Sequence, residues 1–127
     1  MPYIIDLEMK RKYILLVFLL AFFFKASAQV SIPSSEIGKH ITDSVSTSAK
    51  ISGGRNLERA QITILYFGGV FPEHLFTVVI KEPARSYFKF NSPDDLKGKM
   101  AHIIGKVTEY GGKPQISVTN PNQFKIN

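Results

Sequence analysis

Hydrophobic positions divide the chain into one uniformly apolar stretch near its start and a longer region of short apolar runs separated by turn residues. Tyr13–Phe24 contains twelve consecutive residues whose only polar group is one phenol. Lys10-Arg11-Lys12 precedes this stretch, and Lys25-Ala26-Ser27-Ala28 follows it. A basic start, a short apolar segment and small residues at the −3 and −1 positions predict a secretory signal peptide that ends at Ala28.

The apolar stretch is too short for a membrane-spanning helix, because twelve helical residues cover roughly 18 Å of a roughly 30 Å hydrocarbon core. An uncleaved anchor or a buried core helix is the less favoured interpretation. Met9 starts a conventional signal and is the expected initiator. We therefore predict a signal peptide over residues 1–28, a flexible leader over 29–36 and one folded domain over 37–127. The expected location is periplasmic or secreted, with no membrane span left after cleavage.

In the remaining chain, β-branched and aromatic residues alternate with polar residues and indicate strands. A loop is expected over 52–56, where Gly53-Gly54 and Asn56 interrupt the pattern. One or two helical turns are expected over 84–90, and a bend or bulge at Gly105. The predicted strands cover residues 37–51, 61–67, 75–80, 100–109 and 114–119. This order predicts an all-β protein, a small five-stranded OB-fold barrel with a short helical segment between strands 3 and 4. A half-open β-sandwich is the alternative.

Two stretches within residues 37–126 carry a resemblance to a known family. They read TILYFGGVFPEHLFTVVI and LKGKMAHIIGKVTEYGGKPQISVTNPNQF, and the run from Gly98 to Phe124 is the most specific part. This region resembles a family of small exported bacterial OB-fold domains that are nucleic-acid-binding-like and sometimes accompany nuclease domains. The resemblance implies the OB fold and supplies no catalytic motif. The chain departs from the family at Tyr66, where relatives tend to have a small polar residue, and at Lys81, where they often have Trp.

Charge points to an anionic partner. The chain has 16 basic and 10 acidic residues, and removal of residues 1–28 leaves 12 basic and 8 acidic, a net charge of +4. A modest positive charge favours anionic partners, although solubility alone can also explain it. The absence of cysteine excludes disulfides, thiolate metal sites and cysteine catalysis.

Strand alternation and loop positions give the candidate binding residues. If Leu65 and Phe67 point inward, Tyr66 points outward and can stack on a base or sugar, or it can cover the barrel beneath a loop. Phe71 has the same two interpretations, with packing favoured. Cations that bracket the first and last loops would converge on a polyanion if both loops rise on one side; the alternative is ordinary solvated charge. The candidate ligand-binding residues are Lys50, Arg55, Arg59, Tyr66, Lys81, Lys106 and Lys113.

The sequence offers no arrangement typical of catalysis. His40, His74 and His102 have no partner at metal-ligand spacing and are interpreted as structural. No phosphate loop or nucleophile elbow is present. We therefore predict an exported, non-catalytic OB-fold binding module without metal or cofactor. Its expected partner is single-stranded DNA or RNA or another anionic polymer. The alternative is a periplasmic or surface protein that binds an envelope protein or a glycan.

Overall fold

The computed structural model describes residues 29–89 and 92–127, so the predicted signal peptide lies outside the described residues. The strands are β1 (Val30–Ser31), β2 (Ser44–Leu57), β3 (Ile62–Phe67), β4 (Phe76–Ile80), β5 (Met100–Tyr110), β6 (Lys113–Val118) and β7 (Phe124–Ile126). One α-helix, α1 (Ala84–Phe88), follows β4. Short 3₁₀ helices cover Ser34–His40, Pro93–Leu96 and Pro121–Gln123.

Backbone pairing closes a ring through five of these strands. β2 pairs antiparallel with both β3 and β5, and β3 pairs antiparallel with β4. The ring is completed by β6, which is parallel to β4 and antiparallel to β5. The two short strands, β1 and β7, add to β2 and β5 respectively. The protein is therefore mostly β, and its ring is consistent with the predicted OB-like fold, with two short strands more than the sequence indicated.

β2 runs without interruption through the segment predicted to be a loop, so that prediction is wrong. Its first half pairs with β5 and its second half with β3, and the register shifts between Ile51 and Gly53. A Cβ atom on Gly54 would lie 2.6 Å from the carbonyl oxygen of Ile64 and 2.8 Å from the Cβ of Pro93. Gly54 thus permits close backbone approach at a bend in a strand, and the glycine pair does not form a chain reversal.

The segment predicted to be a flexible leader instead contributes to the fold. Val30–Ser31 pairs in parallel with β2, and Ile32 is buried. The amide of Ile32 donates to the carbonyl of Ser46 at 3.0 Å, and the hydroxyl of Thr47 donates to the carbonyl of Ile32 at 2.9 Å. Ile37, expected in the first long strand, is a buried residue of the first 3₁₀ helix. The strand itself begins at Ser44.

The hydrophobic core fills the inside of the ring. Leu65 and Phe67 are fully buried, so the inward orientation assumed for them is correct. Ile103 and Val107 on β5 are fully buried as well. The buried members of the core cluster extend from Ile32, before the first 3₁₀ helix, to Phe124 in β7. Gly105 is a close-packing position, because a Cβ there would lie 2.7 Å from Cγ2 of Ile116. The described register of β5 shows no shift at this glycine.

The predicted helical turns between the third and fourth strands of the ring are confirmed as α1. The helix ends at Lys89, which adopts the left-handed conformation with φ of 50°. Arg85 anchors the helix, since its Nε donates to the hydroxyl of Thr63 at 3.2 Å and its Nη2 lies 3.0 Å from Oε1 of Glu58. Within residues 29–89 and 92–127, no helix is long and apolar enough to cross a membrane.

Candidate ligand-binding groove

The outer face of β3, β4 and β6 forms the floor of an apolar groove. Ile64 and Tyr66 on β3 have Val79 and Thr77 as their register partners on β4. Thr77 in turn aligns with Gln115 on β6. Because directly opposed residues in a sheet project to the same side, these five side chains share one face. All five line the groove.

Two connections form the rims of the groove. The β3–β4 connection (residues 68–75) and the β5–β6 turn (residues 111–112) lie at the same end of the floor, because β4 and β6 are parallel. Phe71 on the first rim is 63% exposed, and Tyr110 beside the second is 77% exposed. The groove volume of about 320 Å³ is small for a ligand site. It suits one or two ring-sized groups of a longer ligand.

Three rings form a cluster between the floor and the first rim. The ring centroid of Tyr66 lies 4.9 Å from that of His74 and 5.8 Å from that of Phe71. Phe71 and His74 are stacked at 5.8 Å. Tyr66 points away from the core, as predicted, but the β3–β4 connection covers it and leaves it only 8% exposed. Tyr66 is therefore part of the floor, and Phe71 is the ring that faces solvent.

Lys113 connects the two rims of the groove through hydrogen bonds. Its Nζ donates a hydrogen bond to the carbonyl oxygen of His74 at 2.7 Å and a second to the carbonyl oxygen of Pro72. The sequence indicated Lys113 as a direct contact for a polyanion. In the structure two of its three N–H donors are directed at protein carbonyls, so Lys113 positions the rim that carries Phe71.

His74 belongs to the groove wall, although the sequence offered only a structural interpretation. The residue is 8% exposed, and its Nδ1 has no hydrogen-bond partner among the described residues. Burial, and after it the charge of Lys113, lower the pKa of His74 below 6.5, so the imidazole is neutral at pH 7. Its only signal in the sequence is its position in an eight-residue connection between two strong strands.

The structure does not bring together the four cations that bracket the first and last predicted loops, Lys50, Arg55, Arg59 and Lys113. Arg55 is exposed and is the register partner of Ile64, which places it on the groove face. Arg59 lies in the β2–β3 turn and Lys81 directly follows β4. Both are therefore at the opposite end of the floor from Lys113, because β3 is antiparallel to β2 and β4. Lys50, like Lys106, lies where β2 pairs with β5, in a different part of the ring.

A second cavity, of about 310 Å³, lies at the far end of the floor near α1. Its polar groups are largely paired with each other, as in the hydrogen bonds from Thr63 to Asn56 at 2.7 Å and from Ser86 to Glu82 at 2.5 Å. This network fixes the helix to the β2–β3 turn. Among the described residues, no group of three or more His, Asp or Glu side chains could hold a metal ion.

No protein-family model matches the sequence, and no curated protein matches it. The solved structures that are similar in fold include two aspartyl-tRNA synthetase chains. An aspartyl-tRNA synthetase from Entamoeba histolytica matches 81% of the chain with 12% identity and a TM-score of 0.51. A chain assigned as an aspartyl-tRNA synthetase from Leishmania major Friedlin matches 79% with 9% identity and a TM-score of 0.51. The matched region spans about a fifth of each synthetase, 22% and 21% respectively. The chain is thus similar in fold to one segment of these enzymes.

Proposed function

We propose that the protein is an exported, non-catalytic OB-fold barrel that binds single-stranded nucleic acid in the groove between Phe71 and Tyr110. The observation that carries this proposal is the pair of solvent-exposed rings on opposite rims above a floor that contains Tyr66. OB folds bind oligonucleotides on the face of their second and third strands, next to the loop between the fourth and fifth. In this chain those elements are β3, β4 and the β5–β6 turn.

The chemistry of the groove fits unpaired bases better than phosphates. The floor is largely aliphatic and aromatic, and the imidazole of His74 is neutral. A base placed between the rims would stack on Phe71 or Tyr110, and each stacked base contributes about 1–3 kcal/mol. Stacking tolerates any base, so we expect little sequence preference.

Electrostatics plays a smaller part than the loop charges suggested. Arg55 is on the groove face, whereas Lys113 is held by two carbonyl oxygens. One phosphate contact on a single strand gives a slope of about −0.7 in a plot of log K against log salt. We therefore expect binding in the groove to weaken only moderately as salt increases.

Fluorescence anisotropy with a labelled oligothymidylate of about 12 nucleotides tests this proposal on residues 29–127. We expect saturable binding that the double variant Phe71→Ala/Tyr110→Ala weakens at least tenfold, the equivalent of about 1.4 kcal/mol. Tyr87→Ala is the matched control, because Tyr87 is 69% exposed but lies on α1, at the far end of the floor. Absence of saturable binding, or equal losses in both variants, would refute the proposal.

Export rests on the pattern of residues 10–28 in the sequence. We expect the protein recovered from its host to begin at Gln29 and to fractionate outside the cytoplasm. Intact-mass measurement of the purified protein decides this directly. A mass that includes residues 9–28, in a cytoplasmic fraction, would contradict export.

A second candidate function, docking of an envelope protein, is favoured by one specific observation. Val70, Phe71 and Leu75 are all more than half exposed, and all three lie on the β3–β4 connection. Such exposed apolar side chains are common at protein contacts. In a pull-down from nuclease-treated envelope extract, a partner that is lost with Leu75→Ser and retained with Tyr87→Ser would support this candidate over nucleic acid.

A further inference from the structure

A second surface, the lysine face, lies on the outer side of β1, β2, β5 and β7. It is separate from the groove, whose floor is built on β3, β4 and β6. Outward positions alternate with buried ones along β2 and β5. The lysine face comprises Ser31 of β1, Ser44, Ser46, Ser48 and Lys50 of β2, Met100, His102, Ile104 and Lys106 of β5, and Lys125 of β7.

Strand register places these side chains together. Lys106 is opposite Ser44, and His102 is opposite Ser48 on one side and Lys125 on the other. Hydrogen bonds confirm the shared face, since Nδ1 of His102 lies 3.0 Å from the hydroxyl of Ser48 and its Nε2 lies 3.1 Å from that of Ser46. The imidazole thus bridges two hydroxyls at the centre of the surface.

All the charged side chains of the lysine face are positive. Segments 44–50, 100–106 and 124–126 contain three lysines and no Asp or Glu. Lys50, Lys106 and Lys125 are exposed, and within residues 29–89 and 92–127 none of their side chains forms an ion pair or hydrogen bond. The acidic residue directly preceding β2, Asp43, is bound to His40 at 3.1 Å.

The spacing of the lysines suits a linear polyanion. Lys50 is opposite Met100, and Lys106 is opposite Ser44. Measured along β2, Lys50 and Lys106 are therefore six residues apart, or roughly 20 Å. Lys125 is the register partner of His102, so it lies between Lys50 and Lys106 along the strand direction. A strand of duplex DNA advances 3.4 Å per phosphate, so a 20 Å surface faces roughly six successive phosphates.

We propose that the lysine face binds the phosphate backbone of double-stranded nucleic acid without sequence preference. Lysine ammonium groups neutralise phosphates, and serine hydroxyls add hydrogen bonds to phosphate oxygens. The outward positions of the lysine face include no Phe, Tyr or Trp that would anchor it in lipid or stack on a base, and their exposed large apolar side chain is that of Met100. The inference is independent of the proposed groove function, because phosphates of a duplex are accessible while its paired bases are not.

Anisotropy with a labelled duplex of about 20 base pairs tests this inference on residues 29–127. Three phosphate contacts give an expected slope of about −2.7 in log K against log salt. We expect the triple variant Lys50→Ser/Lys106→Ser/Lys125→Ser to bind the duplex at least tenfold more weakly and with a slope shallower by about 2–3. The matched control Lys39→Ser/Lys89→Ser/Lys97→Ser removes the same charge from exposed positions elsewhere and is expected to bind nearly as the parent does.

Three results would overturn the inference. If both triple variants bind the duplex equally more weakly than the parent does, net charge alone accounts for binding. If the lysine-face variant binds the duplex as the parent does, another surface binds it. Binding of vesicles that contain anionic phosphatidylglycerol, without binding of the duplex, would assign the surface to membranes. Phe71→Ala/Tyr110→Ala is expected to retain duplex binding, so failure of the groove proposal remains distinguishable from failure of this one.

Discussion

The side-chain ammonium of Lys113 and the carbonyl oxygen of His74 are joined by a 2.7 Å hydrogen bond that links the two rims of the groove. Lys113 is the first residue of β6, and His74 is near the end of the β3–β4 connection. The same ammonium also binds the carbonyl of Pro72. A connection that would otherwise depend on a few loop contacts is therefore fixed to the sheet, and the exposed ring of Phe71 is held in place.

Replacing Lys113 with Met removes both hydrogen bonds and keeps a side chain of similar length. A hydrogen bond to a charged group contributes about 1.5–3 kcal/mol, and we expect a loss at the lower end of that range because Lys113 is half-buried. Urea denaturation measures the loss, and amide hydrogen exchange is expected to accelerate in residues 70–75.

The exposed Lys97→Met provides the matched control for this change, and we expect it to leave both stability and exchange unchanged. If Lys113 instead contacts phosphate directly, Lys113→Met would flatten the salt dependence of oligonucleotide binding while exchange in residues 70–75 stayed slow. That combination would contradict a positioning role.

His74 makes stability dependent on pH. Burial, and then the charge of Lys113, lower its pKa in the folded state below 6.5, so the unfolded chain takes up the proton at higher pH than the folded chain does. The free energy of unfolding should therefore decrease as the pH decreases from 6.5 through the folded pKa, and this loss should stop below it. His74→Gln should make the dependence shallower, as measured by urea midpoints between about pH 7.5 and 5. An unchanged pH profile in the variant would show that His74 is not the group responsible.

Tyr66 and Phe71 are in contact but should respond differently to truncation. Tyr66 is 8% exposed, so Tyr66→Ala should lower the free energy of unfolding by about 3–5 kcal/mol. Phe71 is 63% exposed, so Phe71→Ala should change it by about 0.5 kcal/mol or less while weakening oligonucleotide binding. Denaturation and anisotropy on both variants check the two effects. A large stability loss from Phe71→Ala would mean that this ring packs against the protein and is not available to a ligand.

Alanine variants of Gly53 and Gly54 form a matched pair that tests the close contact between β2 and β3 at the bend of β2. A Cβ on Gly54 would clash with the backbone of Ile64 at 2.6 Å, whereas a Cβ on Gly53 has its nearest neighbour, a methyl group of Val70, at 3.8 Å. We expect Gly54→Ala to destabilise the protein by about 1–3 kcal/mol. Gly53→Ala should be much milder, and thermal denaturation of the two variants provides the comparison. Equal stabilities would contradict the close contact between β2 and β3.

The sequence correctly predicted the strands with the strongest hydrophobic pattern. The prediction failed at the glycine pair, because glycine is common both in turns and at close-packed positions within strands. QITILYF and MAHIIGKVTE are dense in β-branched and aromatic residues, so tertiary packing and local preference agree there. Gly53-Gly54 has the composition of a turn, and only the positions of Ile64 and Pro93 show that Gly54 is a close-packed residue within a strand. The pairing of Val30–Ser31 depends on a partner fifteen residues further on, which no local pattern reveals.

The candidate site was predictable only in part for a related reason. The alternation of side chains along β3 correctly predicted that Tyr66 points away from the core. It gives no information on whether a connection covers the ring. Convergence of the loop cations was conditional on both loops rising on one side, and sequence order does not say which ends of the strands meet. The parallel pairing of β4 with β6 places Lys113 beside His74 and far from Arg59. His74 had no motif, since its role follows from burial and from the neighbouring Lys113.

The central claim is that a single strand of nucleic acid lies between Phe71 and Tyr110. Titration of isotope-labelled residues 29–127 with a short oligothymidylate, followed by NMR of backbone amides and aromatic side chains, tests it most directly. We expect the largest shift changes in residues 66–77 and 110–115, at the groove. Changes confined to the lysine face or to α1, or no saturable change at all, would contradict the account.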